Sequence, residues 1–561
     1  MTSSSRQARP LVGSEPADNS QQLVAHLKED IACRRIESGI ARLNSHSSLL
    51  TSMTPGPNEA ALAGHLAQWA DIGFSGPELV KDILARFAHD ARAGLPLRAY
   101  LYLRLAEGWV ALAEEASEQA IQHLDLVLAL GDEFDDKQSL AIANFWKGRC
   151  LRKKGEYDEA LVYTVKGRDL AQGLGHSAMA APMRVLESWL LFQRGRSREA
   201  THILQDAESV LRQTDDYVTL GNIQSSYGRI ASHDGRYDQA IQHFTRAIKE
   251  FKKRDPQHRN LGRTLANIAL VKRLLALQLR RKVDAETERR RKAAVRGQQG
   301  NGRVPLNYRR SLEQLSQEAL AHLDEAAEIY AKHRNHHGAG TVRLNYGYLH
   351  LDAGDYERAD KEAAAAFELG KEKSDYILMA RSRLLQCMIE NAKVEDEIGE
   401  GANPGYHARH AHVCIQEAIE FAQHTQDRRL LAGAYTWQGL TQCNAFFDDP
   451  DAARHSYDSA VALLQRDHSS NEWADLQSLK ARILRTGTID STLRAWSQGS
   501  VGDKSFQQIS EEFAELIIPK VWEREGRKVS RVATRLSILA KAGPASRNGA
   551  VNARRNRRIP A

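Results

Sequence analysis

A chain of 561 residues is too long for one compact core, which leaves several domains or one extended array. Apolar residues at 42% and charged residues at 27% fit a water-soluble globular class, and no apolar run approaches the roughly 20 residues of a membrane helix. Five scattered cysteines (Cys33, Cys150, Cys387, Cys414, Cys443), with no CxxC pair, argue against a disulfide framework or a zinc site and suit a reducing cytoplasm.

The first stretch, MTSSSRQARPLVGSEPADNSQQ, has no apolar core of a secretory signal, and residues 1–56 are expected to be a disordered arm with a possible helix. Residues 57–92 are expected to form a degenerate helix pair that caps the helices after it.

From there small residues recur on a schedule. Ala120, Ala160, Ala200 and Ala240 lie forty residues apart. Twelve residues before three of them stands a glycine, Gly108, Gly148 and Gly228, and Ser188 fills the place in the fourth. Ala319 and Ala359 continue the series, with Gly347 before the latter, and Ala411 and Ala453 extend it. Seven residues later another alanine tends to recur: Ala207, Ala247, Ala326, Ala366, Ala418 and Ala460. Small side chains at such intervals let paired antiparallel helices approach closely. In KKGEYDEA, HDGRYDQA and DAGDYERA, the glycine is expected to end the first helix at positive φ. The following Tyr157, Tyr237 or Tyr356 is expected to fill the gap beside the turn.

This pattern resembles the tetratricopeptide repeat. Gly228, Ala240, Phe244 and Ala247 match that family's small, alanine, aromatic and alanine positions, and the resemblance covers roughly residues 95–466 in eight units. The period is forty rather than the usual thirty-four residues. The resemblance implies an all-α, right-handed solenoid of helix hairpins over 57–466, with first helices lining a concave groove. The position after the small residue reads Trp109, Arg149, Trp189, Arg229 and, later, Tyr348. In the family that position faces the groove, so these five are candidate contacts for an acidic peptide or a flat anion. The same ladder is compatible with tryptophans packed between helices and solvated arginines.

Two insertions interrupt the array. Residues 280–313 are basic, with eleven Lys or Arg and three acids in 280–310; their first half can extend a helix, and GQQGNGRVP must be loop. Residues 397–406 hold EIGEGANPG, which lacks the spacing of a phosphate cradle.

After residue 466 the series stops. Residues 467–504 read as a helical linker. Ser505 with Gln508 makes a capping box, and Phe506, Ile509, Phe513, Leu516, Ile517, Val521 and Trp522 make an apolar stripe that Pro519 should kink or restart. Gly526, Val529, Ser530, Ala533, Leu536 and Ile538 resemble the first half of a Fis-type helix-turn-helix, placing a partial domain at 505–540. Arg527, Lys528, Arg531 and Arg535 are its candidate DNA contacts, although AKAGPASRNGAVNARRNRRIPA offers no recognition helix and 541–561 reads as a disordered basic tail. From Gly526 onward there are ten Lys or Arg and no acid, so the net charge of +7 leaves −3 for the rest.

No motif of nucleotide, zinc-protease, serine-hydrolase or calcium chemistry occurs, and neither enzyme activity, cofactor nor metal is expected. His407 and His410 share a helix face in HARHAH, and HRNHHG holds a second histidine cluster; both read as surface groups. The functional expectation is a regulatory adaptor, in bacterial transcription, with a protein or peptide partner in the groove and DNA at the carboxyl end. The alternative is a general or co-chaperone-like scaffold without DNA binding.

Overall fold

The computed structural model describes residues 16–295, 306–397, 405–464, 471–486, 504–524, 528, 531, 532 and 536. The chain divides into two units, Met1–Ile483 and Leu484–Ala561. Every regular element among the described residues is a helix.

The core of the first unit is a run of eight hairpins. They pair α7 (Leu97–Ala113) with α8 (Ser117–Ala129), α10 (Lys137–Lys154) with α11 (Tyr157–Gly173), and α12 (Ser177–Gln193) with α13 (Ser197–Leu211). Next come α14 (Tyr217–His233) with α15 (Tyr237–Arg254) and α16 (Arg259–Val295) with α17 (Leu306–Lys332). The last three are α18 (His336–Asp352) with α19 (Tyr356–Glu372), α20 (Tyr376–Glu397) with α21 (Gly405–Gln423), and α22 (Arg428–Gln442) with α23 (Pro450–Leu464). A four-residue α9 (Gly131–Phe134) sits between α8 and α10. From α10 on, each first helix also touches the first helix of the next hairpin. The first helices therefore make a continuous inner layer, and the second helices spread over the outside.

The small residues act as the spacing predicted. All eight ruler alanines, from Ala120 to Ala453, are fully buried, as are the six alanines seven residues on. A side chain at Gly148 would put its Cβ 3.1 Å from the Ala160 carbonyl, and one at Gly228 would meet the Phe244 ring at 2.6 Å. Ser188 uses its hydroxyl, donating to the Ala200 carbonyl at 3.0 Å. Gly155 and Gly235 close their hairpin turns at φ +88° and +72°, a region closed to most side chains. Asp136, Asp216 and Asp427 cap α10, α14 and α22, each accepting a backbone N–H three residues on.

The amino end differs from its expected disorder. Residues 16–52 form α1 (Pro16–Cys33), α2 (Ile36–Ser45) and α3 (Ser47–Ser52), while 1–15 lie outside the described residues. Leu23, Leu27 and Ile31 are buried because their spacing makes one apolar stripe on α1, and Ile36 is buried at the start of α2. Polar anchors hold them: Arg34 pairs with Asp216 at 2.6 Å and Lys28 with Asp136 at 3.0 Å. The caps of α14 and α10 thus serve a second purpose. The chain from 57 to 93 forms α4 (Pro57–Ile72), α5 (Pro77–Arg86) and the short α6 (His89–Ala93), with α4 and α5 packed on α7.

The basic insertion lengthens α16 to 37 residues and starts α17 early. Its loop GQQGNGRVP and residues 398–404 of the shorter insertion lie outside the described residues. At the far end α24 (Asn471–Thr486) places Leu476, Leu479 and Ile483 on the α22–α23 hairpin.

The second unit holds α25 (Phe506–Arg524). Its capping box forms: the Ser505 N–H donates to Gln508 Oε1 at 2.9 Å, and the Gln508 N–H to Ser505 Oγ at 3.3 Å. Pro519 neither splits nor restarts the helix, which runs through it. Phe506 and Phe513 are exposed rather than core, at 85% and 48%. No helix among the described residues is long and apolar enough to cross a membrane.

Candidate functional site

The inner layer carries a concentration of arginine. Asp71, near the end of α4, is its hub: Arg149 of α10 donates to Oδ2 at 2.6 Å and the Trp146 indole at 3.0 Å, while Arg259 of α16 lies 3.5 Å from Oδ1. Burial pushes the Asp71 carboxyl up, but the two arginines and the indole outweigh it and hold the group far below the ordinary range. One turn beyond Arg149 on α10 stands Arg152; one turn beyond Arg259 on α16 stands Arg263; Arg229 joins them from α14.

These three have no carboxylate partner among the described residues. Arg229 Nη2 donates to Ser226 Oγ at 3.1 Å and Arg263 Nη2 to Asn222 Oδ1 at 2.8 Å. The Arg152 guanidinium lies 5.1 Å from the Trp189 ring centre. The Nε–H of each is shielded from solvent without an acceptor. Burial, then the charges of Arg263 and Arg149, pull Arg152 down to about 10. Burial with repulsion from Arg263 and Arg152 lowers Arg229 well below its ordinary value. Burial with repulsion from Arg259 and Arg149 lowers Arg263, against an opposing effect of Tyr330. Guanidinium stays charged at neutral pH, and these downward shifts go with burial first and with positive neighbours second. The other acid here, Glu115, lies 3.6 Å from the Lys153 ammonium and accepts the His336 backbone N–H at 2.8 Å.

The five ladder residues divide. Trp109 is corrected: it is 2% exposed, in the core beneath α4 and α5, because the capping pair covers the inner face of the first hairpin. Arg149 reaches the inner layer but is held by Asp71, 13% exposed. Trp189 is half-buried, edge-on to Tyr157 at 5.2 Å. Tyr348 is half-buried farther along, its ring 4.6 Å below Arg273, which is bonded twice to Asp352. Arg229 stands with the unpaired group.

Asp71, Arg152, Arg259 and Arg263 were not legible as site residues. Arg152 follows Arg149 by three, a helical-face signal. The insertion hides the register of α16, since it separates that helix from its ruler Ala319 by an irregular interval.

His407 and His410 both reach one carboxylate, Glu390 of α20, at 2.6 and 3.6 Å, and Lys393 joins it at 2.8 Å. This is a polar cluster built on a carboxylate of the preceding helix; no group of three or more His, Cys, Asp or Glu suited to a metal occurs among the described residues. Of the candidate DNA contacts, Lys528 and Arg531 are exposed, and Arg527 and Arg535 lie outside the described residues.

The architecture is that of a tetratricopeptide-like α-solenoid. No known family description matches the chain, and no curated protein does. Solved structures with a similar arrangement include a Rap protein complexed with competence and sporulation factor, at 11% identity over 84% of this chain and 100% of that one, TM-score 0.46. The human IFIT1 dimer with m7Gppp-AAAA is 13% identical over 85% of this chain and 91% of that one, TM-score 0.44. The apo quorum sensor NprR from B. thuringiensis is 12% identical over 63% and 99%, TM-score 0.39. At these identities and scores the likeness is one of helical-repeat architecture alone.

Proposed function

We propose that the protein is a regulatory adaptor, and not an enzyme, that holds an extended acidic peptide or protein segment against the inner layer of its solenoid. The observation that carries this reading is the set of inner-layer arginines, Arg152, Arg229 and Arg263, left without carboxylate partners among the described residues. A folded protein that keeps guanidinium groups uncompensated loses stability, and an acidic ligand removes that cost on binding. Its free cysteines, four of them buried, suit a reducing cytoplasm. The test is fluorescence anisotropy of a labelled Asp/Glu-rich peptide against the full chain. Affinity should fall with salt and fall at least tenfold in Arg229→Gln, the scale of one charged hydrogen bond. Unchanged affinity in that variant would remove the reading.

A second contact, with DNA through the carboxyl end, is favoured by the exposed Lys528 and Arg531 and by a final segment with ten basic and no acidic residues. Salt-titrated DNA binding of the full chain should exceed that of a chain ending at residue 504. Equal, negligible binding in both would dismiss DNA as a partner.

A further inference from the structure

We infer that the contact between the second and third hairpins and the seventh and eighth is a clasp over the groove, and that an acidic segment enters only once this clasp has released. The inference rests on the groove reading above and names how that groove is controlled.

The groove is shut in this structure. Arg152 stands one turn before the clasp: its carbonyl accepts the Gly155 N–H at 3.2 Å. Its Nε–H is closed to solvent without an acceptor among the described residues, and so are those of Arg229 and Arg263. A peptide carboxylate cannot reach these edges as they stand, so a groove that uses them has to open. Side chains connect Arg152 to the clasp. Its guanidinium lies 5.1 Å from the Trp189 ring centre, Trp189 meets Tyr157 edge-on at 5.2 Å, and the Tyr157 hydroxyl donates to Asp427 of the far turn. Parting Tyr157 from Asp427 therefore frees the side chains that lie over Arg152.

The clasp is the thinnest junction of the array. Neighbouring hairpins pack helix on helix, whereas no helix from α10 to α13 lies along one from α20 to α23. Turns and single side chains make the contact instead. The Gln426 N–H donates to the Gly155 carbonyl at 2.8 Å, the Asp158 N–H to Gln426 Oε1 at 2.6 Å, and Arg429 Nη2 to the Phe192 carbonyl at 3.0 Å. Beneath them Leu151, Leu186 and Leu190 meet Ile377, Ala380 and Leu430. A few hydrogen bonds of small net worth over one apolar patch part more readily than paired helices do. Arg428 also repels Arg194 across the junction, and burial followed by that charge lowers the Arg194 guanidinium.

Two amides report the state of the clasp. The Gln426 and Asp158 N–H groups find their acceptors on the opposite side of it, so release exposes both while the hairpins stay folded.

The experiment uses the full chain and the labelled Asp/Glu-rich peptide, with hydrogen exchange and anisotropy as readouts. Tyr157→Phe/Gln426→Ala loosens the clasp by removing two of its hydrogen bonds and keeps the apolar patch. Gly155→Cys/Thr425→Cys locks it on oxidation, since a Cβ at Gly155 would lie 2.8 Å from Thr425 Cβ, a small shift from disulfide reach. Saturating peptide should raise exchange at the Gln426 and Asp158 amides. Affinity scales with the open fraction, so the loosened variant should bind at least threefold tighter than the parent. The oxidised double-cysteine variant should bind at least tenfold more weakly than the same protein reduced, with the parent under the same oxidant as baseline. Unchanged exchange at both amides under saturating peptide overturns the inference, as does a locked protein that binds as tightly as its reduced form. If Arg229→Gln weakens binding while the loosened and locked proteins bind as the parent does, the groove reading stands and the clasp fails. Absence of peptide binding in the parent and the loosened variant alike removes both.

Discussion

The Tyr157 hydroxyl donates to Asp427 at 3.4 Å, joining residues 270 positions apart. Around that contact the Gln426 N–H donates to the Gly155 carbonyl at 2.8 Å, and the Asp158 N–H to Gln426 Oε1 at 2.6 Å. One apolar cluster combines Leu151, Tyr157, Leu186 and Leu190 with Ile377, Ala380 and Leu430. The second and eighth hairpins therefore meet, and the inner layer bends back on itself. The arginines of α10, α14 and α16 lie on the stretch that this closure curves inward.

Gly155 is the point where closure is most sensitive. Its φ is +88°, and a Cβ there would come 2.8 Å from Thr425 Cβ. Gly235 has φ +72° with open space around the same position. Gly235→Ala should cost about 1 kcal/mol, the backbone penalty alone. Gly155→Ala should cost more, by roughly 1–3 kcal/mol, because Thr425 must also move. Urea unfolding compares the two, and hydrogen exchange should rise at the Gln426 amide in Gly155→Ala only. Equal costs with unchanged exchange would mean that the turn does not hold the later hairpin.

The close helix approach at Gly228 makes a second expectation. Its added Cβ would sit 2.6 Å from the fully buried Phe244 ring. Gly228→Ala should destabilise by about 1–3 kcal/mol through overpacking. Phe244→Leu leaves a cavity by itself, yet in the Gly228→Ala background it should recover part of the loss. A double-mutant cycle in urea reads that coupling, and strict additivity would show that the two side chains do not compete for the same space.

How far the sequence reaches is plain from these cases. The forty-residue alanine series works as a ruler because close packing admits only small residues at each helix crossing, so hairpins and turns were legible. The helices of residues 16–52 stand outside that series: Gly39 is pressed against Trp69 at no forty-residue interval, and Lys28 and Arg34 dock on the capping aspartates. The groove was half legible: a regular ladder exposes Arg149 and Arg229, but nothing local shows that α4 and α5 will cover Trp109. Asp71 lies 78 residues before Arg149, and only the tertiary fold makes it their hub.

Asp71 has a pH signature. Its folded carboxyl is held well below the unfolded range near 4, so it contributes stability above that range, lost as pH falls through it and below. Asp71→Asn should lower stability at pH 7 by about 1–3 kcal/mol, since Arg149 loses its partner. The variant should also lose less stability than the parent between pH 5 and 3. Added sulfate should restore part of its melting temperature by replacing the missing charge. A variant as stable as the parent at pH 7 would show that the arginines do not depend on Asp71.

His65 acts in a higher window. It is fully buried beside Tyr102, and burial, opposed by Asp136 at 3.7 Å, lowers its pKa to about 4. The unfolded chain binds a proton on this residue below about 6.5, whereas the folded chain resists until about 4. Stability should therefore fall as pH drops from 6.5 to 4, by about 3 kcal/mol from this residue at most. His258, stacked on Phe251 and lowered to about 3 by burial and then by Arg259, adds a slope of the same sign. His65→Leu, similar in volume, gives up only the weak contacts of the ring with Gln68 and Asp136. Urea unfolding at pH 7.5, 6, 5 and 4 should show a flatter profile in this variant, with the remaining slope reduced again by His258→Leu. An unchanged slope in both variants would mean that the two imidazoles do not stay neutral in the folded protein.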